Sequence, residues 1–253
     1  MTLIADRFTQ AAKRYDEAAR IQKQVASELA ARLPLNVKKI LEIGCGTGGL
    51  SAHLIRKFPE SELVLSDISA SMLELCRCHI GNRPDYRLID AENLPSDLGR
   101  FDLIVSSLAL QWVSDLKTTL ECLAEHLNPG GKLIFAVLGE ENFREWTELL
   151  KEYGATSGLH NYPSAEAFCW PEPHRGQIEQ VFLQEYHENG TAFLKSLKMI
   201  GAGTAKAGHK PVAPAVMKRI LKASEAGFTV SYHILYGALT RSSVRLAAES
   251  ATS

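Results

Sequence analysis

The sequence predicts an α/β protein built on a doubly wound, mostly parallel sheet. Short apolar runs alternate with helix-like segments from residue 38 to residue 139. This alternation is typical of a parallel sheet covered by helices. A glycine-rich turn, "GCGTGG" at 44–49, directly follows the first apolar run. Such a turn lets backbone approach a ligand where a Cβ would block it, so a binding site is expected at this edge of the sheet.

The individual elements follow from hydrophobic periodicity. The first 33 residues predict a helix, because Ile21, Val25 and Leu29 recur at four-residue steps before Pro34. Strands are predicted at 38–44, 62–69, 86–92, 101–108, 132–139, 178–187 and 228–242. Helices are predicted at 48–57, 71–79, about 115–127 and 141–154, and a further helical, glycine-broken segment lies between the last two strands. The "NPGG" stretch at 128–131 predicts a turn before the fifth strand.

Composition and charge narrow the class of protein. The chain has 253 residues, 45% of them hydrophobic, and a formal net charge of −1. The chain therefore has no overall electrostatic attraction to nucleic acid or to a membrane. The amino terminus lacks a signal-peptide pattern, and no apolar run reaches the ~18 residues of a membrane span. We expect a cytoplasmic, single-domain protein and, by default, a monomer.

Cysteine usage points away from disulfides and metals. The five cysteines are an odd number without a regular spacing, and they lack the spacings of zinc sites. Cys76 and Cys78 are two residues apart on a predicted helix, so they face different directions. No metal site is expected.

Acidic residues at strand ends limit the choice of cofactor. Glu42 stands just before the glycines, where it would repel a pyrophosphate but suits a ligand carrying ammonium and sulfonium charges. Asp67 ends the second strand, where a carboxylate can accept hydrogen bonds from two ribose hydroxyls. Asp90 and Glu92 end the third strand, where an acid can accept from an adenine amino group. S-adenosylmethionine is therefore favoured over a nicotinamide dinucleotide.

The motifs "LEIGCGTG", "SDIS", "DAE" and "FDLIVSSLALQW" together resemble those of class I S-adenosylmethionine-dependent methyltransferases. The resemblance covers roughly residues 35–140. It implies a Rossmann-like, seven-stranded, mostly parallel sheet with helices on both faces and an antiparallel last strand. It also implies that S-adenosyl-L-methionine is bound, with S-adenosyl-L-homocysteine as product. The cofactor-binding residues it implies are Tyr15, Glu42, Gly44, Gly46, Gly48, Asp67, Ile68, Met72, Asp90, Ala91, Glu92, Ser107 and Leu108.

A narrower resemblance runs almost from end to end. "FTQAAKRYDEAARIQKQVA", "SLKMIGAG" and "TVSYHILYGAL" resemble segments of the BioC family, the malonyl-acyl-carrier-protein methyltransferases of biotin synthesis. This implies methylation of the free carboxylate of malonyl-acyl-carrier protein. It also implies a helical lid at 1–34 that includes Tyr15, a cofactor-binding core at 35–140, an acceptor-binding cap with closing strands at 141–242, and a tail at 243–253. Trp112 and Gln111 are expected to border the cofactor.

The expected chemistry requires no general base, because a carboxyl group with a pKa of ~4 is already ionised at neutral pH. A cation is expected to select the carboxylate, and Arg144 and Lys198 are the candidates. The alternative for Arg144 is an ion pair with Glu140, Glu141 or Glu148 on its own helix.

A basic segment predicts the partner. Thr191 to Lys222 contains seven basic residues and no acid, which suits an acidic acyl carrier protein. Lys195, Lys206 and Lys210 are the docking candidates. Three other functions stay open: a methyltransferase for another small molecule such as a quinone or lipid precursor, a non-catalytic cofactor-binding protein, and a nicotinamide-dependent dehydrogenase. The sequence does not separate a carrier protein from coenzyme A as the bearer of the malonyl group.

Overall fold

A computed structural model of the protein describes residues 15–174, 176–202, 205–206 and 208–242. The strands in these ranges are β1 (Lys39–Ile43), β2 (Glu62–Asp67), β3 (Asp85–Leu88), β4 (Phe101–Ser107), β5 (Leu127–Leu138), β6 (Gly176–His187) and β7 (Phe228–Thr240). The helices are α1 (Tyr15–Ala18), α2 (Arg20–Arg32), α3 (Ser51–Lys57), α4 (Ala70–Ile80), α5 (Leu116–Glu125), α6 (Arg144–Glu152), α7 (Gly190–Met199) and α8 (Pro214–Ala223). A short 3-10 helix, Leu110–Trp112, follows β4.

The strands form one sheet in the order β3-β2-β1-β4-β5-β7-β6. β1 to β5 pair in parallel, whereas β7 runs antiparallel to both of its neighbours. The predicted seven-stranded sheet with an antiparallel last strand is therefore confirmed. Strand order reverses at β1, which lies between β2 and β4, and ligands bind beyond the carboxyl ends of the strands at such a point.

Helices cover both faces of the sheet. In β1, Ile40 belongs to one buried cluster and Leu41 to the other, because successive strand residues face opposite sides. α2 and α4 contribute to the first cluster, and α5 packs in the second through Leu120 and Leu123. Each fully buried leucine contributes about 2 kcal/mol of hydrophobic stabilisation. None of the described helices has the length and apolar character of a membrane span.

The predicted turn at 128–131 lies inside β5 instead of before it. Leu127 is opposite Phe101 and Lys132 is opposite Leu103, so four residues of β5 face a single residue of β4. Gly130 has a φ of +78°, and its amide donates to the Arg241 carbonyl at 3.0 Å. The turn-forming residues are thus absorbed as a bulge, because the continuation of β7 supplies a hydrogen-bond partner.

The amino-terminal segment differs from a simple lid. Its helix breaks at Ala19, and α2 beyond the break is part of the core, with Val25 and Leu29 fully buried. The Tyr236 hydroxyl donates to Glu28 at 2.8 Å, which ties α2 to the sheet. Among the described residues, Tyr15 of α1 and Gln22 of α2 line the cavities of the site. Residues 1–14 of the predicted lid and the predicted tail at 243–253 lie outside the described residues, and the division of the chain into lid, core and cap stays a prediction.

Candidate functional site

The glycine-rich loop after β1 has a shape that side chains would prevent. Gly44 has a φ of +73°, and a Cβ there would lie well inside 3.0 Å of the Ala109 Cβ. Gly46 has a φ of +54° and open space around it. The Asp67 carboxylate accepts hydrogen bonds from the amides of Gly46 and Ser69, each at 2.9 Å. The end of β2 therefore fixes the loop, and the backbone at Gly44 comes close to the tip of β4.

Gly48 has different surroundings from Gly44 and Gly46. It has a φ of +98°, and a Cβ there would lie 2.9 Å from Cγ1 of Ile80. Gly48 is not among the residues that line the cavities of the site. It allows the loop to pack on α4, and its contact with the cofactor stays a prediction.

Glu42 lies in the floor beneath the loop. It is 1% exposed, and the Ser51 hydroxyl donates to its Oε2 at 2.6 Å. Burial raises the pKa of Glu42 to about 8, against the smaller lowering effect of the Ser51 hydrogen bond. Glu42 lines a small cavity together with Tyr15, Gln22 and Gly44. A cationic group in this cavity would favour the ionised carboxylate.

The strand-end acids form the rim of a larger cavity. Asp90 accepts from the Glu92 amide at 3.0 Å, and Glu92 accepts from the Ser114 amide at 3.0 Å. Burial raises the pKa of Asp67. The loops after β2, β3 and β4 are thus held by carboxylates, which retain lone pairs for a ligand.

The tip of β4 carries backbone strain. Leu108 has a φ of +50°, which is uncommon for a residue with a branched side chain. Its amide donates to the Ala136 carbonyl at 2.8 Å, and its carbonyl accepts from Nε2 of Gln111 at 2.7 Å. These two hydrogen bonds hold Leu108 in place between two cavities.

The first cavity has an empty volume of about 810 Å³, within the range of small-molecule sites. Eleven of the thirteen residues predicted to bind the cofactor line it, Glu42 and Gly48 being the exceptions. The lining residues are Tyr15, Ile43, Gly44, Gly46, Asp67, Ile68, Met72, Ile89, Asp90, Ala91, Glu92, Ser107, Leu108, Ala109, Leu110, Trp112 and Val113.

A second cavity of about 490 Å³ shares Tyr15, Leu108 and Trp112 with the first. None of the described residues that line it carries a charge. They are Tyr15, Gln22, Leu108, Gln111, Trp112, Leu138, Phe143, Leu159, Tyr162, Leu197, Ile200, Ala202 and Tyr232. Trp112 lines both cavities and Gln111 lines the second, and their contact with the cofactor stays a prediction.

The two cations predicted to bind a substrate carboxylate are not brought to either cavity. The Arg144 guanidinium contacts Glu145 at 3.3 Å and Glu141 at 3.6 Å, and it lies 5.4 Å from the centroid of the Phe182 ring. Lys198 is exposed on α7, although its neighbour Leu197 lines the second cavity. The interpretation of Arg144 and Lys198 as carboxylate ligands has no support in this arrangement, because local acids and helix geometry direct both side chains outward.

Comparison with known proteins shows to which family the chain belongs. Residues 40–131 match a family model described as a methyltransferase domain. A malonyl-(acyl-carrier protein) O-methyltransferase of Magnetococcus marinus is 42% identical over 240 residues, which cover 90% of this chain and 88% of that protein. The chain belongs to the malonyl-(acyl-carrier protein) O-methyltransferase family.

Another relative of this methyltransferase is a bifunctional protein. The biotin biosynthesis protein BioCD of Bordetella avium is 39% identical over 92% of this chain, which corresponds to 51% of that relative. Among solved structures, a putative methyltransferase from Bacillus halodurans aligns with a TM-score of 0.59 over 87% of this chain and 99% of its own. YcgJ from Bacillus subtilis also has a TM-score of 0.59, over 87% and 98%. At 13% and 14% identity these two structures show the fold alone.

The basic segment of the methyltransferase lies on its surface. Its seven cations are all exposed: Lys195, Lys198, Lys206, Lys210, Lys218, Arg219 and Lys222. Within the described part of the chain, none of them forms an ion pair with a carboxylate, although the Arg219 guanidinium lies 5.2 Å from the Tyr153 ring centroid. α7 links this surface to the second cavity, because the same helix carries Lys195 outside and Leu197 inside.

Sequence reasoning missed several lining residues of this methyltransferase. Ile43 and Ile89 lie directly beside predicted site residues, so strand-end position was a usable signal. Leu110 and Val113 lie in or beside the 3-10 helix, which the hydrophobic periodicity of the sequence does not predict. Tyr162 and Tyr232 come from distant parts of the chain, and only the fold brings them to the second cavity.

Proposed function

We propose that the protein transfers a methyl group from S-adenosylmethionine to the free carboxylate of a malonyl thioester carried by an acyl carrier protein. The observation that carries this proposal is the junction of two cavities, one rimmed by carboxylates and one uncharged, at Tyr15, Leu108 and Trp112. Family membership supports it, since relatives such as the Magnetococcus marinus enzyme are named for this substrate.

The first cavity fits S-adenosylmethionine in size and in chemistry. Asp67 at the end of β2 would accept from ribose hydroxyls, and Asp90 lies where an adenine amino group can be reached. The cavity at Glu42 suits the methionyl ammonium, which would balance the buried carboxylate. A Cβ at Gly44 would displace the glycine-rich loop that lines these cavities. When bound, the cofactor supplies an electrophilic methyl group on a sulfonium.

The residues of the chain would align the carboxylate with the methyl donor and exclude water from the site. A malonyl carboxylate is ionised at neutral pH, so no side chain has to remove a proton. Leu108 and Trp112 form the wall at which the carboxylate and the methyl donor meet, and alignment there supplies most of the rate enhancement. The apolar lining of the second cavity excludes water from the carboxylate, which makes it a better nucleophile.

The basic surface beside α7 supports the carrier protein as partner. Carrier proteins are acidic, and opposite charges steer association. Lys195→Glu with Lys210→Glu should weaken binding of the malonyl carrier about tenfold at low salt and less at high salt. Lys132→Glu is the matched control, since this exposed lysine is in register with Leu103 near the start of β4, at the opposite end of the strands. Equal weakening by the control would contradict docking at this surface.

Methylation of the malonyl carboxylate also explains a role in biotin synthesis. The ester hides a charge, so enzymes of fatty-acid elongation can accept the product as an ordinary acyl chain. The decisive experiment is mass spectrometry of malonyl-loaded carrier, acetyl-loaded carrier and malonyl-coenzyme A after incubation with enzyme and S-adenosylmethionine.

One added methyl group on the malonyl carrier alone is the expected result. Equal methylation of malonyl-coenzyme A would remove the role proposed for the basic surface. Failure of every malonyl acceptor, with cofactor binding intact, would favour a methyltransferase for another small molecule.

A further inference from the structure

Among the described residues, no cation of the kind expected for carboxylate recognition lines the second cavity. Its described lining is uncharged, and the guanidinium of Arg144 lies outside it, between Glu141 and Glu145. Transfer of an anion from water into such a cavity is unfavourable unless hydrogen-bond donors receive it. The identity of the available donors therefore decides how a carboxylate is recognised.

Two of the polar side chains in this cavity already form hydrogen bonds within the protein. The Tyr232 hydroxyl donates to the buried carboxylate of Glu185 at 3.1 Å. Nε2 of Gln111 donates to the Leu108 carbonyl at 2.7 Å, and its buried Oε1, an acceptor, has no partner. The Tyr232 hydroxyl therefore has no proton left for an anion, whereas Gln111 keeps one Nε2 hydrogen next to its unpartnered Oε1.

Tyr162 is different. Within the described residues, its hydroxyl forms no hydrogen bond, and burial is the one cause that raises the pKa of Tyr162, to about 12. It lines the second cavity and not the first. Gln22, by contrast, also lines the small cavity at Glu42, on the side of the cofactor's ammonium. The Tyr162 hydroxyl is thus a partly exposed donor without an acceptor among the described residues, and it lies at the acceptor end of the site.

We propose that Tyr162 is a specificity-determining residue that donates a hydrogen bond to the carboxylate of the acceptor, so that this anion is recognised by a neutral donor and not by a cation. The assignment rests on the function proposed above. A bidentate guanidinium would occupy both carboxylate oxygens. A single hydroxyl binds one oxygen and leaves the lone pairs of the other for attack on the methyl carbon. The unpartnered hydroxyl gains its hydrogen bond when the substrate binds.

The test compares carriers that differ only in the carboxylate. Binding of malonyl-loaded and acetyl-loaded carrier is measured in the presence of S-adenosylhomocysteine, for wild type and for Tyr162→Phe. Hydrogen bonds to charged groups predict that the preference for malonyl over acetyl falls about ten- to a hundredfold. The KM for the malonyl carrier should rise while kcat changes less. Because the hydroxyl has no described partner, the melting temperature and the affinity for S-adenosylhomocysteine should be unchanged.

Two variants serve as controls. Tyr153→Phe removes a hydroxyl outside both cavities, and Arg144→Ala removes the cation that the sequence suggested; both should keep the wild-type preference. An unchanged preference in Tyr162→Phe, in an enzyme that methylates the malonyl carrier, would overturn the assignment and leave the proposed function standing. Loss of the preference in Arg144→Ala instead would also overturn it. A wild-type enzyme that neither prefers nor methylates the malonyl carrier would overturn the proposed function, and the role of Tyr162 with it.

Discussion

Replacement of Gly44 by alanine tests how the cofactor cradle is built. Two separate effects act on this variant. The φ of +73° places an L-residue in the left-handed region, which costs about 1–2 kcal/mol. The new Cβ would also collide with the Cβ of Ala109, so the loop and the tip of β4 must separate by roughly 1 Å to reach ordinary contact, at which carbons lie about 3.4 Å or more apart.

A glycine series separates these effects. Gly46→Ala, at a φ of +54° with open space around it, introduces the backbone strain alone. Gly49→Ala introduces neither strain nor collision. The free energy of unfolding should therefore fall by about 2 kcal/mol or more in Gly44→Ala, by about 1 kcal/mol in Gly46→Ala, and by less than about 0.5 kcal/mol in Gly49→Ala.

Calorimetric titration with S-adenosylhomocysteine completes the experiment. In Gly44→Ala, displacement of the loop should weaken the binding of S-adenosylhomocysteine at least tenfold, because a shift of about 1 Å removes close backbone contacts. Denaturant unfolding of the same three variants supplies the stabilities. If Gly44→Ala matched Gly49→Ala in both measurements, the close approach of this loop to Ala109 would not be a requirement of the site.

Two further predictions concern buried acids. Glu42 has its pKa raised to about 8 in the folded protein, so the folded state holds an extra proton between the unfolded value of about 4.5 and 8. The stability of wild type should thus fall as pH rises through that window, and Glu42→Gln should flatten this part of the pH profile measured by denaturant unfolding; parallel profiles for the two proteins would contradict a protonated Glu42. Tyr232→Phe removes a hydrogen bond to buried Glu185 and should lower the free energy of unfolding by about 1–3 kcal/mol. Tyr186→Phe, at a side chain that is 65% exposed, should have no measurable effect, and equal losses in the two variants would argue against the Glu185 contact.

The cofactor side of the site was predictable because it is local in sequence. Gly44, Asp67 and Asp90 lie at or just after the ends of β1, β2 and β3, and the carboxyl ends of parallel strands share one edge of the sheet. Strand periodicity therefore placed them together before any contact was known. Within the same motif, the close packing of Gly48 against Ile80 is not visible from the spacing, and its contact with the cofactor stays a prediction.

The acceptor side was not predictable in the same way. Its cavity combines Gln22 from α2, Tyr162 from the loop after α6 and Leu197 from α7, and no short-range pattern relates these segments. Arg144 illustrates the limit. Its charge suggested a carboxylate ligand, but neighbouring acids and the Phe182 ring direct its guanidinium outward.

The contrast between the two cavities bears on how one site handles ligands of opposite charge. The carboxyl groups of Glu42 and Asp67 lie on the cofactor side, where a bound cationic group would favour their ionised forms, whereas the described lining of the second cavity is uncharged. A permanent cation beside Leu108 would attract a substrate anion, but it would also repel a sulfonium and hold both carboxylate oxygens. A neutral donor such as the Tyr162 hydroxyl avoids both effects, and the positive charge next to the anion then enters with the cofactor. Under the proposed role of Tyr162, selectivity for a carboxylate would depend on the junction of the two cavities and would not require an arginine in the acceptor pocket.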